Sequence, residues 1–71
     1  MTDIIDAKRE LFNLLKSSIS EVVGSAIEAK NGIEYIIIIL SSGERKILNK
    51  IPKEFKGNIV KTEVRAVART L

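Results

Sequence analysis

Few residues of this chain could do chemistry, and the two types on which most catalytic and metal sites depend are missing. The 71 residues include no His and no Cys, so no imidazole base or thiolate is available for nucleophilic catalysis. The same absence excludes a structural zinc site. Apart from Ser25 in a predicted strand, the serines lie at the end of a predicted helix or in predicted turns, with no base to activate them. A hydrolase of the triad type is therefore excluded.

The carboxylates and glycines do not suggest an active site either. Asp3 and Asp6 are the only aspartates and belong to the start of a predicted helix, so a carboxylate cage for a metal ion is not expected. The four glycines are spread one per turn or strand, unlike the glycines of a phosphate-binding loop. We therefore predict that the protein is not an enzyme, and we expect no catalytic residue, cofactor, metal or small-molecule substrate.

Basic side chains are concentrated in the second part of the chain. Residues 1–43 carry four basic and six acidic side chains, whereas residues 44–71 carry eight basic and three acidic ones. The eight are Arg45, Lys46, Lys50, Lys53, Lys56, Lys61, Arg65 and Arg69. They are candidates for phosphate contacts with a nucleic acid, and an ordinary solvated surface explains the same charges. Only Tyr35 and Phe55 could stack on bases, and both are better explained as apolar anchors.

The elements that must position these side chains are organised around Ile33–Leu40, an apolar and mostly β-branched stretch bounded by turn signals. It is too short to cross a membrane as a helix, which takes about 20 residues, and its composition predicts a central β-strand. Alternation gives two faces, one with Ile33, Tyr35, Ile37 and Ile39, the other with Glu34, Ile36, Ile38 and Leu40. Both faces are apolar beyond Glu34, so both need a cover.

One face is expected to pack on an N-terminal helix, and the other is expected to form an interface between copies of the chain. We predict that Ile36, Ile38 and Leu40 form this interface and that the protein is a homo-oligomer, most simply a dimer. The length agrees with this prediction, because a chain of this size without disulfides has a small core. Alternatively, the C-terminal segment folds back over this face as a second helix, and the protein is a monomer.

The first elements of the predicted fold are a helix and a strand. Apolar residues with helical spacing predict a helix over residues 3–19, with Thr2 or Asp3 as its N-cap. Residues 21–30 follow as the first strand, and Gly24 within it predicts a bulge or a close backbone approach.

The second half of the predicted fold is a series of short strands and turns. Asn31-Gly32 is the strongest signal for a type I′ hairpin turn into the central strand. A third strand is predicted over residues 44–49, a connecting loop over residues 50–57, and a strand over residues 58–69 whose end could be helical. The prediction is a single α+β domain over residues 1–71, with the helix packed on an antiparallel meander of three or four strands. The last strand is expected at a sheet edge.

The composition suggests where the protein works. The N-terminus carries acidic residues where a secretory signal would be basic, so we expect a cytoplasmic protein that does not enter a membrane. The sequence lacks Gln, Cys, His and Trp, contains twelve Ile, and has mainly Lys and Glu as its charges. This composition is typical of proteins from thermophiles.

A family resemblance covers residues 21–67. Residues 22–27 (Val-Val-Gly-Ser-Ala-Ile), the turn Asn31-Gly32, the Pro-containing loop over residues 51–57 and the pair Arg65-Ala66 follow each other in this order. The arrangement resembles the non-catalytic β segment near the start of some prokaryotic trypsin-like serine peptidases. The resemblance implies only the order of the strands, because the catalytic residues of those peptidases lie in a domain that is absent here. The chain also resembles small archaeal proteins of unknown function.

Together these features predict a non-catalytic module with a structural or protein-interaction role, which works as an oligomer. The alternative prediction is a nucleic-acid-binding protein that uses the basic second half of the chain.

Overall fold

The computed structural model describes residues 3–65 and shows an N-terminal helix followed by a four-stranded mixed sheet. The elements are α1 (Ile4–Ser18), β1 (Val22–Lys30), β2 (Ile33–Leu40), α2 (Arg45–Leu48), β3 (Glu54–Phe55) and β4 (Asn58–Val64). The strands lie in the order β1-β2-β4-β3. The predicted α+β class with an N-terminal helix is confirmed.

The helix α1 begins and ends as its sequence predicts. The Asp3 carboxylate accepts a hydrogen bond from the Ile5 N–H at 3.1 Å, and thereby caps the first turn. At the other end, the Ile19 N–H donates to the Leu15 carbonyl at 2.7 Å. The apolar stripe of α1 packs on one face of the sheet, where Ala7 is completely buried.

The hairpin of β1 and β2 also forms as predicted. Asn31 and Gly32 have φ values of 54° and 78°, as both central residues of a type I′ turn require. Pairing is antiparallel from Lys30 opposite Ile33 to Val22 opposite Leu40, and its register shifts between Val22 and Gly24. The bulge predicted at Gly24 is therefore confirmed.

The predicted third strand is wrong, because residues 45–48 form the short helix α2 instead. Ile47 and Leu48 would point to opposite faces in a strand. In the helical turn both contact the core, with Ile47 buried and Leu48 packed against it. The turn signal at residues 41–43 consequently leads into a connection over the sheet and not into a second hairpin.

The antiparallel meander is also wrong in its second half. β4 lies inside the sheet and pairs in parallel with β2, from Tyr35 opposite Ile59 to Leu40 opposite Val64. Parallel neighbours need a crossover connection, and residues 41–57 provide it. The short β3 then pairs antiparallel with the start of β4 and occupies the edge. Any helix or strand predicted beyond residue 65 lies outside the described residues.

The core lies between the sheet and the two helices, and this position corrects the predicted interface. Ile36, Ile38 and Leu40 each have 0% of their surface exposed in the single chain. They belong to one cluster with Leu11 of α1 and Ile47 of α2. Because α1 and the crossover connection cover this face of β2, these three residues offer no surface to a partner in this fold. Within residues 3–65, no helix combines the length and apolar character needed to cross a membrane.

Candidate functional site

The face of the sheet opposite α1 is the candidate interaction surface, and we call it the open face. Register partners share a face in both strand pairs, so the register defines its members. They are Ile33, Tyr35, Ile37 and Ile39 of β2, Gly24, Ala26, Glu28 and Lys30 of β1, and Ile59, Lys61 and Glu63 of β4. No helix within residues 3–65 packs on this face, because the buried apolar residues of both helices belong to the core cluster on the other side.

An apolar strip runs along the middle of the open face. Ile33 is 47% exposed and Ile59 is 43% exposed, whereas Tyr35 and Ile39 are half-buried. Ile37 is only 8% exposed although it does not belong to the core cluster. It lies at the centre of the strip, where neighbouring side chains of the same face shield it.

Lys61 crosses this strip and partly covers it. The residue is the register partner of Ile37, and its ammonium lies 4.1 Å from the centroid of the Tyr35 ring. This is a cation–π contact, in which the face of the ring attracts the ammonium. Tyr35, which the sequence suggested as a core or loop anchor, is therefore part of the open face.

A groove of about 600 Å³ lies along the outer edge of β4. Its walls are formed by Leu48, Asn49, Ile51, Pro52, Lys53, Ile59, Val60, Lys61 and Thr62. Neighbouring residues of β4 point to opposite faces, so the groove follows the strand edge and does not enter the core. The polar groups that line it are two lysines, one amide and one hydroxyl.

The structure distributes the basic residues over several surfaces, and some of them have acidic partners. Lys46 lies 3.6 Å from Glu44, and Arg65 lies 3.0 Å from Glu63. A further ion pair joins Lys56, in the turn between β3 and β4, to Glu10 of α1. These exposed pairs contribute little stability, but they reduce the positive charge available to an anionic partner.

The other basic residues do not lie on one face. Arg45, Lys50 and Lys53 are exposed on the crossover connection, and none of them has a carboxylate within salt-bridge distance in residues 3–65. Lys61 lies on the open face. Arg69 lies outside the described residues. The structure thus places three of the eight candidates for phosphate contacts on the crossover connection.

No protein-family model, curated protein or solved structure matches this chain. The resemblance to the β segment of serine peptidases stays a prediction, since none of these comparisons tests it.

Proposed function

We propose that the protein is a non-catalytic interaction module that assembles into homo-oligomers through its open face. One observation carries the proposal: β2 is apolar on both faces, and within residues 3–65 only the face with Ile36, Ile38 and Leu40 is covered by helices. Two large side chains of the open face, Ile33 and Ile59, each keep more than 40% of their surface in water. Exposed apolar groups that share a face are typical of interaction sites.

A second copy of the chain is the partner that the charges of this face favour. Glu28 borders the apolar strip on the β1 side, and Lys61 borders it on the β4 side. A two-fold axis parallel to the strands stacks two open faces so that β1 of each copy lies over β4 of the other. This arrangement brings Glu28 of one copy near Lys61 of the other and encloses the apolar strips. Sheets stacked in this way pack about 10 Å apart.

Replacing Ile59 by Lys is expected to convert the oligomer into a smaller species. Burying a large aliphatic side chain contributes about 1.5–3 kcal/mol, and a two-fold axis uses each residue twice. The substitution should therefore raise the dissociation constant on the order of 100-fold or more. Light scattering after size exclusion, over a range of protein concentrations, measures the change in mass.

Leu14→Lys is the matched control for this experiment. Leu14 is 55% exposed on α1, away from the open face, so this variant introduces the same charge while leaving the assembly intact. A wild-type protein that stays monomeric at high micromolar concentration contradicts the proposal. So does an Ile59→Lys variant with the mass of the wild type.

Nucleic-acid binding is the second candidate function, and the three basic residues of the crossover connection favour it. If Arg45, Lys50 and Lys53 contact phosphates, the affinity for duplex DNA should fall steeply with added salt, by about 0.9 in logarithmic slope per contact. The double variant Lys50→Glu and Lys53→Glu should then abolish the electrophoretic shift, whereas Lys16→Glu on α1 should not. Absence of a shift at low salt, or a shift that salt does not weaken, removes this candidate.

A further inference from the structure

We infer that the outer edge of β1 is a second interface, which pairs with the β1 edge of another copy across a two-fold axis. The two strands would run antiparallel and join two sheets into one continuous sheet of about eight strands, with both α1 helices on the same side. This interface uses backbone groups of β1, not the open face, and therefore goes beyond the proposed function.

The hairpin register determines which backbone groups of β1 point outward. In a two-residue hairpin, the residues that flank the turn form the first hydrogen-bonded pair, here Lys30 and Ile33. Every second residue before Lys30 also bonds to β2, and the residues between them direct both N–H and C=O away from it. The outward residues are Ser25, Ile27 and Ala29. Within residues 3–65 their backbone groups meet no further strand.

The first half of this edge lacks the features that usually protect a sheet edge from pairing. Charged side chains, prolines and bulges discourage edge-to-edge contacts. From Gly24 to Ile27 the edge carries no charge and no proline, and the bulge lies only at its end, between Val22 and Gly24. The unpaired part of β4, from Lys61 to Val64, is shorter than this edge. Each edge carries two charged residues, Glu28 and Lys30 on β1 and Lys61 and Glu63 on β4.

The helix α1 packs on β1 but leaves the second half of its outer edge open. Glu10, in the middle of α1, contacts Lys56 in the turn between β3 and β4, so the helix crosses the sheet away from the second half of β1. In agreement with this path, Ala29 is exposed and Ile27 is only half-buried on the α1 side of the sheet. An antiparallel pairing also places the C-terminal ends of the two α1 helices at opposite ends of the paired β1 strands, so they do not meet.

The regular part of β1 is self-complementary when the two-fold axis passes at Ile27. The bulge ends this part before Gly24 and the hairpin turn ends it after Lys30, so its midpoint is Ile27. The opposed pairs are Ile27 with Ile27, Ser25 with Ala29, Ala26 with Glu28, and Gly24 with Lys30. No like charges face each other, the half-buried isoleucines meet at the axis, and about six backbone hydrogen bonds form.

Amide hydrogen exchange tests the pairing in the wild-type chain. In dilute solution the amides of Ser25, Ile27 and Ala29 should exchange fast, while those of Ala26 and Glu28, which bond to β2, exchange slowly. In the high micromolar range the outward amides should become protected by about tenfold or more. Fast exchange of the outward amides at every concentration overturns the inference.

The variant Ala29→Pro tests the same contact through the mass of the assembly. Ala29 has an exposed side chain and an outward N–H, so Ala29→Pro removes one edge hydrogen bond per copy, about two of the six, while the hairpin keeps its own. Ala29→Thr keeps the N–H and is the matched control. Size exclusion with light scattering should show at least about a tenfold weaker dimer for the proline variant only, and circular dichroism checks its fold. A proline variant that associates as strongly as the control overturns the inference.

Two substitutions at Ala26 test the register; because Ala26 also lies on the open face, both are made in the Ile59→Lys background. In the proposed pairing this residue faces Glu28 of the other copy, so Ala26→Lys should strengthen the edge dimer and Ala26→Glu should weaken it. The dissociation constants should differ by about tenfold at low salt; equal constants overturn this register.

The experiments test the open-face interface and the β1-edge interface independently of each other. Dissociation by Ile59→Lys but not by Ala29→Pro supports the open face and overturns the edge pairing. The reverse result supports the edge pairing and overturns the open face as the site of assembly.

Discussion

Replacing Ile38 by Lys is expected to unfold the chain, not to release a folded monomer from an oligomer. Ile38 is 0% exposed and lies in the core cluster beneath α1. A lysine there would bury an ammonium group without a partner, at a cost of several kcal/mol. That cost is comparable with the whole stability of a small domain, about 5–15 kcal/mol. Circular dichroism and urea titration measure the loss.

The neighbouring residue provides the matched control. Ile39 lies on the open face and is half-buried, so Ile39→Lys keeps the fold because the ammonium reaches water. The milder variant Ile38→Ala should stay folded enough for its unfolding to be measured, with a free energy of unfolding lower by about 2–5 kcal/mol. A folded, soluble Ile38→Lys protein would show that the faces of β2 are exchanged.

The choice between the two faces of β2 shows how far the sequence alone can lead. The alternation in this strand correctly separates the faces, but both are apolar, so the strand itself does not show which face α1 covers. Its partner strand holds the missing signal. The turn at Asn31-Gly32 sets the register, and this register places Glu28 and Lys30 on the same face as Ile33. Charged neighbours would have identified that face as the open one before the structure was known.

The crossover connection could not be predicted from local pattern. The helix α2 has four residues, too few to be stable without tertiary contacts, and its two apolar residues are adjacent. They are held by packing of Ile47 on a cluster that includes Val60, which is distant in sequence. The alternation in β4 identifies a strand but not its neighbours, because pairing in parallel with β2 depends on how the connection packs.

The ion pairs of the basic residues could not be predicted from local sequence either. The sequence shows eight basic residues after position 43, but it does not show which of them meet a carboxylate. Lys56 reaches Glu10 across 46 positions of the chain. Such a contact follows from the crossing of α1 over the sheet and has no local signal.

Because β4 lies inside the sheet, the N–H groups of its adjacent residues Lys61 and Thr62 point in opposite directions. The Arg65 N–H donates to the Leu40 carbonyl at 2.9 Å, and the Val60 N–H donates to the Lys53 carbonyl at 2.9 Å. Odd-numbered residues of β4 therefore bond to β2, and even-numbered residues point towards the outer edge. The Lys61 N–H donates to β2. The Thr62 N–H points to the outer edge of β4, beyond the residues that pair with β3.

Lys61→Pro is consequently expected to lower the free energy of unfolding by about 3 kcal/mol or more. The substitution removes a ladder hydrogen bond, leaves a buried carbonyl of β2 without its donor and forces the ring between two paired strands. Thr62→Pro has the same effect on the flexibility of the unfolded chain but sacrifices no bond to β2, so it should cost less than half as much. Lys61→Ala separates the loss of the side chain from that of the N–H. Urea titrations of the three variants give the comparison. If Thr62→Pro lowers the free energy of unfolding as much as Lys61→Pro, β4 has a second paired neighbour at Thr62. If both variants lower it only slightly, β4 lies at a sheet edge, as in the predicted meander.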